Sequence, residues 1–269
     1  MPNIFDYAEK TLHHSHCEEL LALTHEAQRL AMNGELNFES LNSVRPIEKV
    51  YFPEHPILLP PRDMPKRKFT TAAGLAAFFH AIAHVEFVAI YLAWDIIYRF
   101  RDLPEEFYRD WLRVADEEAQ HFSLLRGRLQ KSDIDYGDLP AHSGLWDLAQ
   151  HTSNDILIRL ALVPRNMEAH GLDVAPPLIE KFKQIGDDDA VAILTRILND
   201  EVGHVAMGSK WFNQLCEEKG LNAERYYQTL LLAYYDEKGG HLKANFNREL
   251  RRSAGFSESE LTWLAAHSH

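Results

Sequence analysis

Asp110–Phe122, DWLRVADEEAQHF, and Ile197–Phe212, ILNDEVGHVAMGSKWF, are the stretches that decide how this chain folds. In the first, Trp111, Val114, Ala115 and Phe122, continued by Leu125 and Leu129, recur at the three- and four-residue intervals of one helix face. Glu118 and His121 fall on that same face. In the second, Leu194, Ile197, Leu198, Val205 and Phe212 make the stripe, and Glu201 and His204 lie within it. Glu-x-x-His sets a carboxylate and an imidazole one turn apart on a single face, as two ligands of one ion require. One such motif is weak evidence, since roughly one arises by chance in a chain of this composition. This chain has two, both in long amphipathic helices and both on the apolar side.

Outward from these motifs, two further apolar stripes carry a glutamate. Upstream, Phe79, Ile82, Ala83, Ala89, Ile90, Ala93 and Ile97 surround Glu86. Between the motifs, Leu157, Ala161 and Pro164 lead to Glu168, with a bend expected at the proline. Glu86 precedes Glu118 by 32 residues and Glu168 precedes Glu201 by 33, the near-repeat of two helical hairpins meeting face to face. An uncompensated carboxylate in an apolar interior is costly and neutralises by shifting its pKa. Four of them on four helices therefore call for cations. Arg165 and Lys210, the basic residues nearby in sequence, are too few. Two divalent ions balance four glutamates, and two neutral imidazoles complete a donor set suited to iron or manganese, with zinc as an alternative. One Glu from each of two helices plus Glu-x-x-His from each of two others is the ligand set of di-iron carboxylate bundles.

The rest of the chain predicts an all-α fold. A helix is expected from residue 3 to about 33, stopped by Asn33-Gly34, and then an irregular arm over 35–69 holding Pro46, Pro53, Pro56, Pro60, Pro61 and Pro65. Long helices are expected over 71–101 and, after Pro104, to about Lys131. Ser132–Gly144 reads as a connection, and a third helix as running from Leu145 to a cap at Gly171. Val174-Ala175-Pro176-Pro177 opens a short helix ending at Gly186, and Asp187–Asp189 start a fourth long one ending at Gly220. Two or three more follow, the last opened by a capping box of Ser257 and Glu260. The implied organisation is an N-terminal helix and arm packed on the bundle (1–69), a four-helix metal-binding bundle (70–220) and a C-terminal helical extension (221–269).

Composition narrows the function classes. The chain has 269 residues, 46% hydrophobic and 25% charged, the profile of a globular protein. No apolar run reaches the ~20 residues that span a bilayer. Acids and aromatics occupy the first ten residues, where a secretory signal carries basic and then apolar ones. The two cysteines, Cys17 and Cys216, stand in no metal-ligand spacing, so a reduced, cytoplasmic setting is expected. A net charge of -12 argues against anionic lipid and nucleic acid as partners. The local exception, Arg62, Lys66, Arg67 and Lys68, reads as a solvated loop.

The two opening stretches resemble the paired ligand helices of the ferritin-like di-iron superfamily. The span 70–220, with Leu103–Phe122 (LPEEFYRDWLRVADEEAQHF) and Ala161–Pro177 (ALVPRNMEAHGLDVAPP), resembles a bacterial ferritin-like family of unassigned function, itself similar to the tRNA-modifying di-iron hydroxylases. Residues 1–69 and those beyond 220 lie outside the superfamily motif. The resemblance implies a ferritin-like four-helix bundle and an acid just ahead of a ligand glutamate that hydrogen-bonds a histidine ligand. The matching positions are Glu117, where aspartate is usual, and Asp200.

The function expected is an oxygen-dependent di-iron (or manganese–iron) oxidoreductase. Glu86, Glu118 and His121 would hold one ion and Glu168, Glu201 and His204 the other, with O₂, a small-molecule substrate and an external electron donor as partners. A ferroxidase without organic substrate is the first alternative, disfavoured by the long arm and the extra C-terminal helices. A tRNA-modifying hydroxylase is the second, and a helical module with a structural metal the third. The oligomeric state is left open, a homodimer included. Other residues attract attention for weaker reasons. His80 and His84 lie well around the helix from Glu86 and read as core or second-helix contacts. His13, His14, His16 and Cys17 read as surface or packing residues, and Tyr226, Tyr227, Tyr234 and Tyr235 as core of the C-terminal helices.

Overall fold

A computed structural model describes residues 1–40, 44, 53–64, 69–238, 242 and 246–268. Among them the fold is all helical, and the β contacts are three isolated bridges, Asn3–Asn37, Leu58–Ala141 and Leu242–Ser268. The chain divides into two compact units, Met1–Asp147 and Leu148–His269.

In the first unit, α1 (Ile4–Leu12) packs on α3 (Ala72–Arg99), α2 (Cys17–Met32) packs on α4 (Glu105–Gln130), and α3 and α4 lie along each other. The single helix predicted over 3–33 is thus two. Its break falls at His13–His16, a run of three histidines and a serine with modest helix propensity. The His13 amide closes α1 on the carbonyls of Glu9, Lys10 and Thr11. Tertiary packing decides the break, because it lets α1 bury Ile4, Phe5, Ala8 and Leu12 while α2 buries Leu20, Leu21 and Ala27. Gly34 ends α2 at φ +71, as the Asn33-Gly34 signal requires.

α3 starts at Thr71, whose hydroxyl accepts from the Gly74 amide at 3.1 Å. Further along it, the Trp94 indole is fully buried and donates to Thr24 Oγ1 at 3.0 Å. By length and composition α3 is long and apolar enough to cross a membrane, but most of that stretch is buried inside the protein. It also carries buried His80, His84, Glu86 and Asp95, which break its apolar run. Part of the proline-rich arm runs beside the 132–144 connection: the Leu59 amide donates to the Ala141 carbonyl at 2.7 Å and the Ala141 amide to that of Ile57 at 3.0 Å.

The helix predicted from Leu145 to Gly171, which crosses from the first unit into the second, is broken at 152–155. α5 (Gly144–His151) is followed by α6 (Ile156–Leu162), a π turn (Val163–Glu168) and α7 (Ala169–Gln184). Asp155 caps α6 by accepting from the Leu157 and Ile158 amides at 2.7 and 3.3 Å. Buried Arg159 ties the corner by donating to Thr152 Oγ1 at 2.7 Å and to the Ala149 carbonyl. The π turn is the form taken by the bend expected at Pro164, which has no amide to give and whose ring crowds the carbonyl four residues back. Gly171 does not stop α7. The helix continues through Pro176 and Pro177 because Leu172, Ile179 and Phe182 keep one buried stripe, and Gly186 at φ +72 follows its end.

α7, α6 and the π turn all pack on α8 (Asp188–Glu218); α9 (Ala223–Lys238) packs on α6 and α8, and α10 (Arg248–Ser253) on α7, α8 and α11 (Glu258–His267). Both halves of the predicted capping box at Ser257 and Glu260 are formed. Gly208 of α8 faces the π turn so closely that an added Cβ would sit 2.5 Å from Pro164 Cβ. Gly208→Ala is therefore expected to destabilise the protein by about 1–3 kcal/mol, the range for an overpacked interior. Chemical denaturation measures it, and an unchanged midpoint would contradict the close approach.

Candidate metal centre

α3 and α4 each bury part of one acidic group. Glu86 is 6% exposed, Glu118 1% and His121 0%. The His121 Nδ1–H donates to Glu86 Oε2 at 3.1 Å, and Glu118 Oε2 lies 3.5 Å from the same nitrogen. One ligand atom from each of the three lies within 4.8 Å of the others. Burial, and then the negative charge of Glu118, push the Glu86 carboxyl well above the usual carboxylate range, with His121 opposing. Burial alone would lower His121; the carboxylates of Glu118 and Glu86 outweigh it and hold the imidazole protonated. Both shifts favour holding protons where two acids and an imidazole meet in the interior. A divalent cation replaces such protons when carboxylates and an imidazole converge on it, so this buried cluster of Glu and His could hold a metal ion.

Next to these residues in sequence, but on other sides of their helices, stands an aromatic group. Phe87 and Phe122, the neighbours of Glu86 and His121 in sequence, have centroids 5.0 Å apart, and both pack on Tyr136, at 5.0 and 4.9 Å. Tyr136 donates its hydroxyl to His84 Nδ1 at 2.9 Å, while His84 Nε2–H donates to the His142 carbonyl at 3.1 Å. Burial pushes the His84 pKa down to about 4, so the ring is neutral. His80 Nε2 accepts from the Gly137 amide at 3.0 Å. Both histidines are core residues that fasten the 132–144 connection.

In the second unit, α8 places His204, fully buried, so that its Nδ1–H donates to Glu201 Oε1 at 3.2 Å; the Glu201 side chain is 13% exposed. Glu168 ends the π turn, half-buried with Oε2 inside. Glu168 and Glu201 are therefore less enclosed than the stripe pattern predicts. Arg165 is spoken for elsewhere: its Nη2 donates to Glu260 Oε1 at 2.7 Å. The Lys210 ammonium lies 4.6 Å over the Trp211 ring. Asp200 pairs with Arg196 one turn earlier on α8, and Glu117 is half-buried on α4.

The remaining sequence candidates take structural places. Tyr227 is core and donates to the Arg165 carbonyl at 2.8 Å, whereas Tyr226, Tyr234 and Tyr235 are half-buried. His13 bonds the Glu9 carbonyl at 2.7 Å, and His14 pairs with Glu19 at 3.1 Å, at the junction of α1 and α2. Arg62 is exposed beside Asp63, and Lys66, Arg67 and Lys68 lie outside the described residues. Sequence reasoning missed Tyr136, His142 and the ion pairs of Arg165 with Glu260 and of Asp173 with Arg251, since long-range partners leave no periodic trace.

No solved structure matches the chain. A Haemophilus influenzae protein described as "Uncharacterized protein" is 47% identical over 220 residues, covering 79% of this chain and 75% of that one. Residues 13–262 match the family described as "Protein of unknown function (DUF455)", and the chain belongs to that family.

Proposed function

We propose that this chain is an oxygen-dependent di-iron oxidoreductase built as a ferritin-like four-helix bundle. The observation that carries the reading is the buried group of Glu86, Glu118 and His121, whose two acids and imidazole converge in an apolar interior. In this reading those residues hold one ion, and Glu168, Glu201 and His204 hold a second. Four carboxylates offset the four positive charges of two ferrous ions. Manganese can take one position on the same donor chemistry.

When bound, the iron pair would supply electrons to dioxygen and the oxidising power to attack a small organic substrate, with an external donor restoring the ferrous state. The protein's own part is positioning and exclusion. His121 and His204 each present Nδ1 to a carboxylate on the apolar side of a helix. Burial of Glu86, Glu118 and His121 keeps bulk water from them. Asp200 and Glu117 stand one residue ahead of Glu201 and Glu118, where an acid can orient a ligand imidazole. The free cysteines Cys17 and Cys216 accord with a reducing cytoplasm, where Fe(II) is available.

Anaerobic titration with Fe(II) followed by oxygen tests this directly. About two ions per chain are expected, with oxygen uptake and a transient visible absorbance on mixing. Tight binding of zinc with no oxygen reaction by the ferrous form would leave a structural metal, and no binding at all would end the proposal. Loading also has a thermodynamic signature, because a ligand that binds only the folded chain stabilises it by about 2.7 kcal/mol at a free concentration 100-fold above Kd. The melting temperature should rise on loading and fall back with a chelator. A melting curve indifferent to metal would contradict binding in the core.

A further inference from the structure

Glu168 sits on the least regular piece of helix in the second unit, and two buried ion pairs bracket it from the chain beyond residue 220. Three residues before it, the guanidinium of fully buried Arg165 donates to Glu260 at 2.7 Å and lies 5.0, 4.2 and 4.8 Å from the rings of Phe212, Tyr227 and Phe256. Five residues after it, Asp173 accepts from Arg251 Nε at 3.0 Å and Nη2 at 2.7 Å, and from the Asn247 amide at 2.9 Å. The two pairs have opposite polarity. In one the cation is on the site segment, and in the other the anion is.

Between the pairs, Tyr227 donates its hydroxyl to the Arg165 carbonyl at 2.8 Å and Tyr235 donates to Asn166 Oδ1 at 3.2 Å. A π turn misaligns carbonyls with the usual amide four residues on, so an outside donor fixes what the helix itself does not. Glu260 is held in its turn: it accepts from the Ser257 amide at 2.8 Å and its own amide donates to Ser257 Oγ at 3.0 Å.

A buried ion pair is a poor source of stability, because desolvation offsets most of the attraction; its best-attested use is to fix register. Two pairs of opposite polarity oppose both sliding and rotation of the segment between them. We propose that the C-terminal segment is a clamp that aims Glu168, with Arg165, Glu260, Asp173 and Arg251 as positioning residues for that metal ligand. This inference rests on the di-metal reading of the site.

The full chain, loaded with Co(II), tests it by visible absorption and by metal count. The double variant Arg165→Met/Glu260→Leu removes both charges of one pair and keeps apolar bulk. Glu260→Leu also takes the side-chain half of the Ser257 capping box, so a modestly lower unfolding midpoint is expected; the folded variant should bind one cobalt as the parent does and the other roughly 10–100-fold more weakly, the usual cost of losing a ligand's support. Its spectrum should change with that second ion. Tyr227→Phe, which removes only a hydroxyl, should lower second-ion affinity in the same direction and covers the case of a double variant that does not fold. Parental affinity and spectrum in the double variant, or in Tyr227→Phe should the double variant not fold, would overturn the clamp while leaving the di-metal reading standing. A parent chain that takes up no cobalt would overturn the reading itself, and the clamp with it.

Discussion

Glu118→Ala is expected to remove most of the metal that the parent protein retains. Glu118 is 1% exposed and lies 3.5 Å from His121 Nδ1, so its carboxylate has a fixed place in the cluster. Its loss takes one negative charge from the donor set and one of the two acids that orient His121. Altering a supporting residue behind a metal ligand already weakens binding roughly 10–100-fold; removing the ligand itself should cost more. After loading and desalting, elemental analysis should fall from about two ions per chain to one or fewer. Glu201→Ala should behave alike, as the matching position of the second Glu-x-x-His. The metal-free forms provide the control, since Glu118→Ala should leave a folded helical chain. Full metal retention by either variant would contradict the ligand assignment.

Phe87→Ala should be strongly destabilising, by about 3–5 kcal/mol, the range for deleting a buried phenylalanine ring. The ring is fully buried and packs on Tyr91, Phe122 and Tyr136 with centroids 5.3, 5.0 and 5.0 Å away. Those partners come from α3 itself, from α4 and from the 132–144 connection, so one truncation opens a void where three segments meet. Tyr136 is also held by His84, which limits how far it can move to fill the space. Chemical denaturation of the metal-free protein gives the value. A loss below about 1 kcal/mol would mean that the three segments collapse freely into the void and that this packing is not rigid.

What the sequence made legible was whatever depends on a 3.6-residue period or a local cap. Glu86, Glu118 and His121 converge as their stripes require, and Glu201 and His204 pair on one face. Gly34, Gly186 and Gly220 follow helix ends with positive φ, and Ser257 caps α11. The misreadings share a different cause. His13–His16 and 152–155 break helices because neighbours on different elements divide the buried stripe. Gly171 and the two prolines after it fail to break one because the stripe continues through them. The Arg165–Glu260 and Asp173–Arg251 pairs join residues 95 and 78 positions apart, a distance at which spacing carries no signal. A hydropathy pattern shows that an acid is on the inner face; it does not show which side chain comes to meet it.

Anomalous diffraction at the iron edge, from crystals of the iron-loaded protein, is the most direct test that metal ions compensate the inward-facing acids. Two peaks are expected, one touching Glu86, Glu118 and His121 and the other Glu168, Glu201 and His204. No iron peak, with a lysine or arginine lodged between the carboxylates or the six side chains spread toward solvent, would contradict it.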